Sequence, residues 1–343
     1  MALCLLGDDG ALSLCLLGDD VLGLILEGLR NPLDPRAAVS LGSVSRRLRA
    51  LTQELRRQLR ADHESVAELC LCTIWCHSCG GHRLTEMSGS VPMSCKELRE
   101  AKTASFRFEI STWSERWERW ERRSACPALG TLATLGTLGL VLPALEELLL
   151  TEFPGLEAEQ LEHRPPHDGV QQLAVGLGAG ALPAVITLIT SCMHVGDAGA
   201  SALGAALGRG ALPRLKSLTL QAAAIGDAGL VALAPAVWGL PALEELGLQH
   251  NPFSDEGLAA LVAPPPPAGA LSPPTGVLTK LKKLDLCATQ ITDAGCATLA
   301  TALDSGVLPA LEQLFLVGTP SSAASKAAAS EALVKSRARR LGV

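Results

Sequence analysis

Tyrosine is absent from this 343-residue chain, and aromatic residues together make up 3% of it. Because 48% of the residues are hydrophobic, the core must be built from Leu, Ala and Val rather than from rings. An excess of positive charge is also missing, and a formal net charge of -6 gives no global attraction to nucleic acid. The opening MALCLLGDDG has no basic stretch ahead of its apolar run, and two aspartates close it. An intracellular protein with free thiols, cytoplasmic or nuclear or both, is therefore expected despite 11 cysteines. No membrane span is expected. Ser124 to Leu145 carries no charge, but Pro127, Pro143 and several glycines and threonines interrupt it. Its Leu129, Leu132, Leu135 and Leu138 recur like one face of a helix, read here as residues 129 to 141 of an incomplete first repeat. Catalytic signatures are missing as well: there is no nucleophile elbow, Walker loop or HExxH. Gly176, Gly178 and Gly180 end a helix instead of opening one, so they do not cradle phosphate. Neither an enzyme nor a cofactor is expected.

The chain has instead a sentence that it repeats. LPRLKSLTLQAAAIGDAGLVALAPAVWG, Leu212 to Gly239, is written again from Leu142, Leu182, Leu240, Leu278 and Leu308. Leu215, Leu218 and Leu220 give the period-2 signal of a short strand, and Ile225 follows on a turn. Asp227 then stands where a helix N-cap is expected, with Ala228, Gly229, Leu230 and Leu233 carrying the helix on until Gly239 and the next Leu-Pro end it. The Asp-x-Gly mark recurs at Asp197, Asp255 and Asp293, and the same N-cap role is expected of each. One strand and one helix in about 28 residues cannot bury both apolar faces alone, so copies must stack.

At these residues the sequence resembles the leucine-rich repeats of the ribonuclease-inhibitor-like class, over about residues 129 to 343. The resemblance implies an α/β solenoid: a horseshoe with a parallel sheet on the concave face, helices on the convex face, and a small all-α region before it. The family often places Asn or Cys after the last strand leucine to bond neighbouring turns. Only Asn251 fits, with Met193, Ala223 and Thr289 elsewhere, so a less regular loop ladder is expected.

The expected organisation is a helical region at 1–62, an irregular Cys- and Trp-containing linker or insertion at 63–126, and the repeat domain with a C-terminal helical cap at 127–343. ALCLLGDD at 2–9 recurs as SLCLLGDD at 13–20 and is given no function. Beyond it, Leu22, Ile25, Leu26 and Leu29 make a helix face, Leu33-Asp34-Pro35 breaks it, and Val39 and Val44-Ser45-Arg46 mark further helices. These residues resemble the F-box, a helical motif that binds the adaptor of cullin-type ubiquitin ligases. The resemblance implies Leu22, Ile25, Leu26, Leu29, Leu33, Pro35 and Val44 as adaptor-binding residues. The family's Leu-Pro opening is replaced by Asp20-Val21, and the alternative is a plain helical cap for the open end of the solenoid.

Cys76-x-x-Cys79, with Cys70 and Cys72 nearby, is the one dense ligand cluster. No second Cys-x-x-Cys completes it, and free cysteines in an insertion are expected rather than a metal site. Trp113, Trp117 and Trp120 fall at helical spacing and are expected to pack within the chain. Pro264 to Val277 reads as a proline-rich spacer.

A repeat sheet of this kind binds protein through outward strand positions. Here those are Glu147 and Leu149, Thr187 and Ile189, Ser217 and Thr219, Glu245 and Gly247, Lys283 and Asp285, Gln313 and Phe315. Glu245 beside Lys283 is expected to form an ion pair. Leu149 and Ile189, with Phe315 at the other end, are expected to mark the partner surface. The functional expectation is an F-box and leucine-rich-repeat substrate receptor, and the alternative is a scaffold or inhibitor with a helical cap. A GTPase activator is a third reading, but no catalytic arginine can be placed; Arg209 is merely the nearest in a repeat loop.

Overall fold

Leucines at alternate positions give strands with one apolar face, and the sheet they build runs through the whole described part of the chain. The computed structural model describes residues 102–109, 125–137, 143–153, 169–262 and 278–341, together with Thr73–Ile74, Gln53 and Arg57. Its strands are β1 (Thr73–Ile74), β2 (Thr103–Glu109), β3 (Glu147–Phe153), β4 (Thr187–Ser191), β5 (Ser217–Gln221), β6 (Glu245–Gly247), β7 (Lys283–Asp285) and β8 (Gln313–Phe315). Its helices are α1 (Ala125–Thr137), α2 (Gly169–Gly178), α3 (Gly196–Gly208), α4 (Asp227–Trp238), α5 (Asp255–Val262), α6 (Asp293–Asp304) and α7 (Ala323–Leu341). The strands lie side by side in chain order, all parallel from β2 to β8, with β1 antiparallel on the outside of β2. Each helix packs on the helix before it, so strands form one layer and helices the other. This is the leucine-rich-repeat type of horseshoe solenoid.

The register explains why the sequence repeats. Leu148, Leu188, Leu218, Leu246, Leu284 and Leu314 are direct neighbours across the sheet. Of these the first five are no more than 1% exposed. The helix leucines, among them Leu173, Leu203, Leu230, Leu233, Leu258 and Leu299, close the core from the other side at 0–2% exposure. Each such side chain contributes about 1.5–3 kcal/mol of burial, and only stacking supplies its neighbours.

Ahead of the helix read as the opening of the repeats, the described residues include a further strand of the same sheet. Ala125–Thr137 is that helix, with Leu129 and Leu132 buried. The strand is β2, from the stretch expected to be an irregular linker, and it runs parallel to β3 with Ser105 opposite Leu149. The F-box-like residues, the cysteines from Cys70 to Cys79, the tryptophans from Trp113 to Trp120 and the proline-rich spacer lie outside the described residues.

The Asp-x-Gly aspartates do not cap their own helices. Asp227, Asp255 and Asp293 are the first residues of their helices and Asp197 is the second of its own, and each carboxylate crosses to the next repeat. Gly226 N–H donates to Asp197 at 2.7 Å, and Ser322 N–H donates to Asp293 at 2.6 Å. Ser254 N–H and Gly257 N–H donate to Asp227 at 2.7 and 2.9 Å, and Thr292 N–H to Asp255 at 2.8 Å. The N-caps proper at the later helices are hydroxyls: Ser254 accepts from Glu256 N–H and Thr292 from Ala294 N–H. Those hydroxyls in turn donate to Asp227 and Asp255. The motif's glycine is the other half of the joint, because a Cβ at Gly257 would stand 2.8 Å from Asp227 Oδ1. The orphan donors of one helix are thus satisfied by the helix before it.

Replacing Asp227 with Ala is expected to cost about 0.5 to 2 kcal/mol. Amide exchange checks where the loss falls: faster exchange at Ser254 and Gly257 supports the crossed cap, and loss confined to the start of α4 contradicts it. Burial pushes the Asp227 carboxyl up. The hydrogen bonds from Ser254 N–H, Ser254 hydroxyl and Gly257 N–H together outweigh this and hold it below the usual carboxylate range. Asp293 is held down by Ser322 and Ser325. A carboxyl with a lowered folded pKa gives stability that is in place above the unfolded value, near 4, and is lost as pH falls through the folded one. Acidification below about pH 4 should therefore lower Tm, and by less in Asp227→Ala.

Candidate functional site: the concave sheet face

Alternate residues of β3 to β8 point away from the core, and the register sets them in rows. One row reads Glu147, Thr187, Ser217, Glu245, Lys283, Gln313, and the next reads Leu149, Ile189, Thr219, Gly247, Asp285, Phe315. All the residues expected on this face are therefore brought together on one surface, with rungs about 4.8 Å apart. Leu149 and Ile189 are direct neighbours, both half-buried. They do not stand at the end of the sheet, since β2 lies beyond them. Phe315 is 37% exposed, and the C-terminal helix does not cover it.

The floor between Ile189 and Phe315 is polar, with Glu245, Lys283 and Asp285 set among hydroxyls and amides. Thr187, Ser217, Thr219 and Ser191 are half-buried hydroxyls, and Gln249 Nε2 donates to Gln221 Oε1 at 3.3 Å. The expected link between Glu245 and Lys283 is replaced by two others. Glu245 accepts from Ser217 Oγ at 3.4 Å, while the Lys283 ammonium lies over the Phe315 ring, 5.8 Å from its centre. A lysine stem reaches an aromatic face readily, and the ring's negative face attracts the cation.

The ion pairs run one position earlier, along the rim where the strands begin. Lys102 meets Glu146 at 3.3 Å, Glu244 meets Lys282 at 2.6 Å and Lys216 at 3.9 Å, and Glu312 meets Arg340 of α7 at 3.1 Å. The hydrogen bond and charge of Lys282 hold the Glu244 carboxyl below its ordinary range, and those of Glu244 raise Lys282. These pairs are solvent-exposed and sign-alternating, so they fix neighbour order more than they add stability. Ile186 interrupts the alternation.

One row was not foreseen. Thr151, Ser191, Gln221, Gln249, Cys287 and Val317 continue the outward alternation past the residues singled out from the sequence, and Val317 is 75% exposed. The signal was present as the same period of two carried one step further. Burial and the Asp285 side chain raise the Cys287 thiol above its ordinary range.

Asn251 holds the loops beneath this face. It is 2% exposed. Its Oδ1 accepts from Ala223 and Ile225 N–H at 3.1 Å each, and its Nδ2 donates to Leu220 and Leu248 C=O at 2.7 and 2.9 Å. Thr289, at the matching place, donates only to its own Leu286 C=O at 2.8 Å. The expected irregularity of the loop ladder is therefore found, with one strong rung.

The fold class is the leucine-rich-repeat type of α/β solenoid. Among the described residues no group of three or more His, Cys, Asp or Glu is placed to hold a metal ion, and no helix is long and apolar enough to cross a membrane. A family model described as leucine-rich repeat matches residues 240–262, which hold β6, the Asn251 loop and α5. This is the copy with the full Leu-x-x-Leu-x-Leu-x-x-Asn text, from Leu243 to Asn251. The chain matches none of the curated proteins compared with it.

Proposed function

We propose that the chain is a protein-binding module that holds a polypeptide partner on its concave face, in the manner of the ribonuclease-inhibitor-like repeats. The observation that carries this reading is the pairing of Leu149 with Ile189 on adjacent rungs of a rigid sheet, at outward positions where a solvated face would carry polar side chains. Changing both to Asp is expected to weaken partner capture about tenfold or more while thermal unfolding shifts little. A large loss of stability with capture per folded molecule intact would show them to be core residues.

The finer reading is a substrate receptor of a cullin-type ubiquitin ligase, cytoplasmic or nuclear. Residues 1–62 would hold the adaptor through the F-box-like Leu22, Ile25, Leu26, Leu29, Leu33, Pro35 and Val44, and residues 127–343 would hold the substrate. Its support is the order of the text, a helical box and then repeats. Recombinant adaptor should retain the full chain at micromolar concentration and lose it when Leu26 and Leu29 are changed to Asp. Equal retention of both, or of neither, removes the ligase link and leaves the alternative, a scaffold or inhibitor with a helical cap.

A further inference from the structure

The sheet ends at β8 differently from any internal rung. Leu314 is only partly covered, whereas its equivalents Leu148, Leu188, Leu218, Leu246 and Leu284 are no more than 1% exposed. The last helix closes the helical layer alone. Arg339 donates to the Asp304 carbonyl and carboxylate at 2.8 Å each, and Arg340 to Ala310 C=O and Glu312 at 3.1 Å each. β8 is the terminal strand of the sheet among the described residues.

The direction of each backbone group follows from the bonds to β7. Gln313 N–H donates to Lys282 C=O, while Phe315 and Val317 C=O accept from Leu286 and Ala288 N–H, so the odd-numbered residues face β7. By the alternation of a parallel pair, Leu314 N–H and C=O, Leu316 N–H and Glu312 C=O face the open side. No described strand lies there to bond them. Such an edge is a template for another strand, and natural proteins usually block it with Lys, Pro or a bulge. Residues Gln313 to Val317, QLFLV, carry no Lys and no Pro.

The pattern on this edge is its own complement. A two-fold axis at Leu314 brings Leu314 N–H to the partner's Leu314 C=O and the reverse. The same rotation brings Leu316 N–H to the partner's Glu312 C=O and the reverse, so every outward donor meets an acceptor. Charge does not oppose the approach, because Arg340 already neutralises Glu312 in each copy. The exposed Phe315 and Val317 flank the junction on one side of the sheet, and the half-covered Leu314 would meet its own counterpart on the other.

We propose that two copies of this chain join edge to edge through antiparallel β8 strands, making one sheet continuous across a two-fold dimer. This is independent of what the concave face binds. The edge is short, so the dimer should be weak, with Kd on the order of micromolar.

Sedimentation of the full chain over a range up to about 100 micromolar tests it. The wild type is expected to pass from monomer to dimer. The double variant Gln313→Lys and Val317→Lys places like charges about the axis at two exposed side chains. It should stay folded, with an unchanged melt, and dimerise at least about tenfold more weakly. The concave variant with Leu149 and Ile189 changed to Asp should dimerise like the wild type. A wild type that stays monomeric throughout overturns the proposal, including the case in which β8 takes up an extended segment of another protein instead. A folded Lys variant that still dimerises as the wild type does would place the interface elsewhere and overturns it too.

Discussion

Replacing Asn251 with Ala is expected to destabilise the chain by about 3 to 5 kcal/mol, read by chemical denaturation. The side chain is buried and serves two repeats at once, accepting from Ala223 and Ile225 N–H and donating to Leu220 and Leu248 C=O. Its removal leaves those backbone groups dry and unbonded, at about 1–3 kcal/mol each before any water enters. Asn251→Asp tests the donor half alone. A carboxylate keeps the two acceptor bonds and sets negative charge against two carbonyls, so it should lose nearly as much as Ala. A loss below about 1 kcal/mol in the Ala variant would mean that the loops hold their shape without this rung.

Gly295→Val is expected to cost about 3 kcal/mol or more. A Cβ at Gly295 would press on Asp255 Oδ1 and stand 2.7 Å from Ile291 Cγ2 and 3.1 Å from Asp255 Cγ. Asp255 cannot retreat cheaply, because it takes the Thr292 N–H at 2.8 Å and the Thr292 hydroxyl, which hold the start of α6. Ile291 is fully buried and has no free space to yield. The two residues of the joint should therefore couple. In a cycle of Asp255→Ala and Gly295→Ala, the double variant should lose less than the sum of the singles, because the first change clears the space that the second fills. Strict additivity would show that the glycine serves its own helix and not the aspartate of the helix before it.

The stacking was legible because its signal is local: Leu215, Leu218 and Leu220 and their copies announce a strand within six residues, and the recurrence announces the solenoid. The role of the Asp-x-Gly mark was not, because the partner of Asp227 is Ser254, in the next copy, and a single unit contains only half of the joint. The first strand escaped notice for a compositional reason. TASFRFE carries Ala104 and Phe106 opposite Leu148 and Leu150 of β3, so it matches the period but not the repeated text. On the concave face, alternation alone put the expected residues on one surface. It could not foresee the Lys283 ammonium turning to Phe315, since that choice depends on side-chain reach rather than on spacing.

The reading of the concave sheet as the binding face is tested most directly by covalent surface footprinting of the full chain, alone and with its captured partner. The molecule offers its own control, since exposed apolar side chains lie on both layers: Phe315 and Val317 on the sheet, and Val175, Val231 and Val334 on the helices, at 43 to 75% exposure for the valines. Partner binding is predicted to reduce labelling at Leu149, Ile189, Phe315 and Val317 while Val175, Val231 and Val334 label as before. Protection of the helix valines with the sheet residues unchanged would contradict the account.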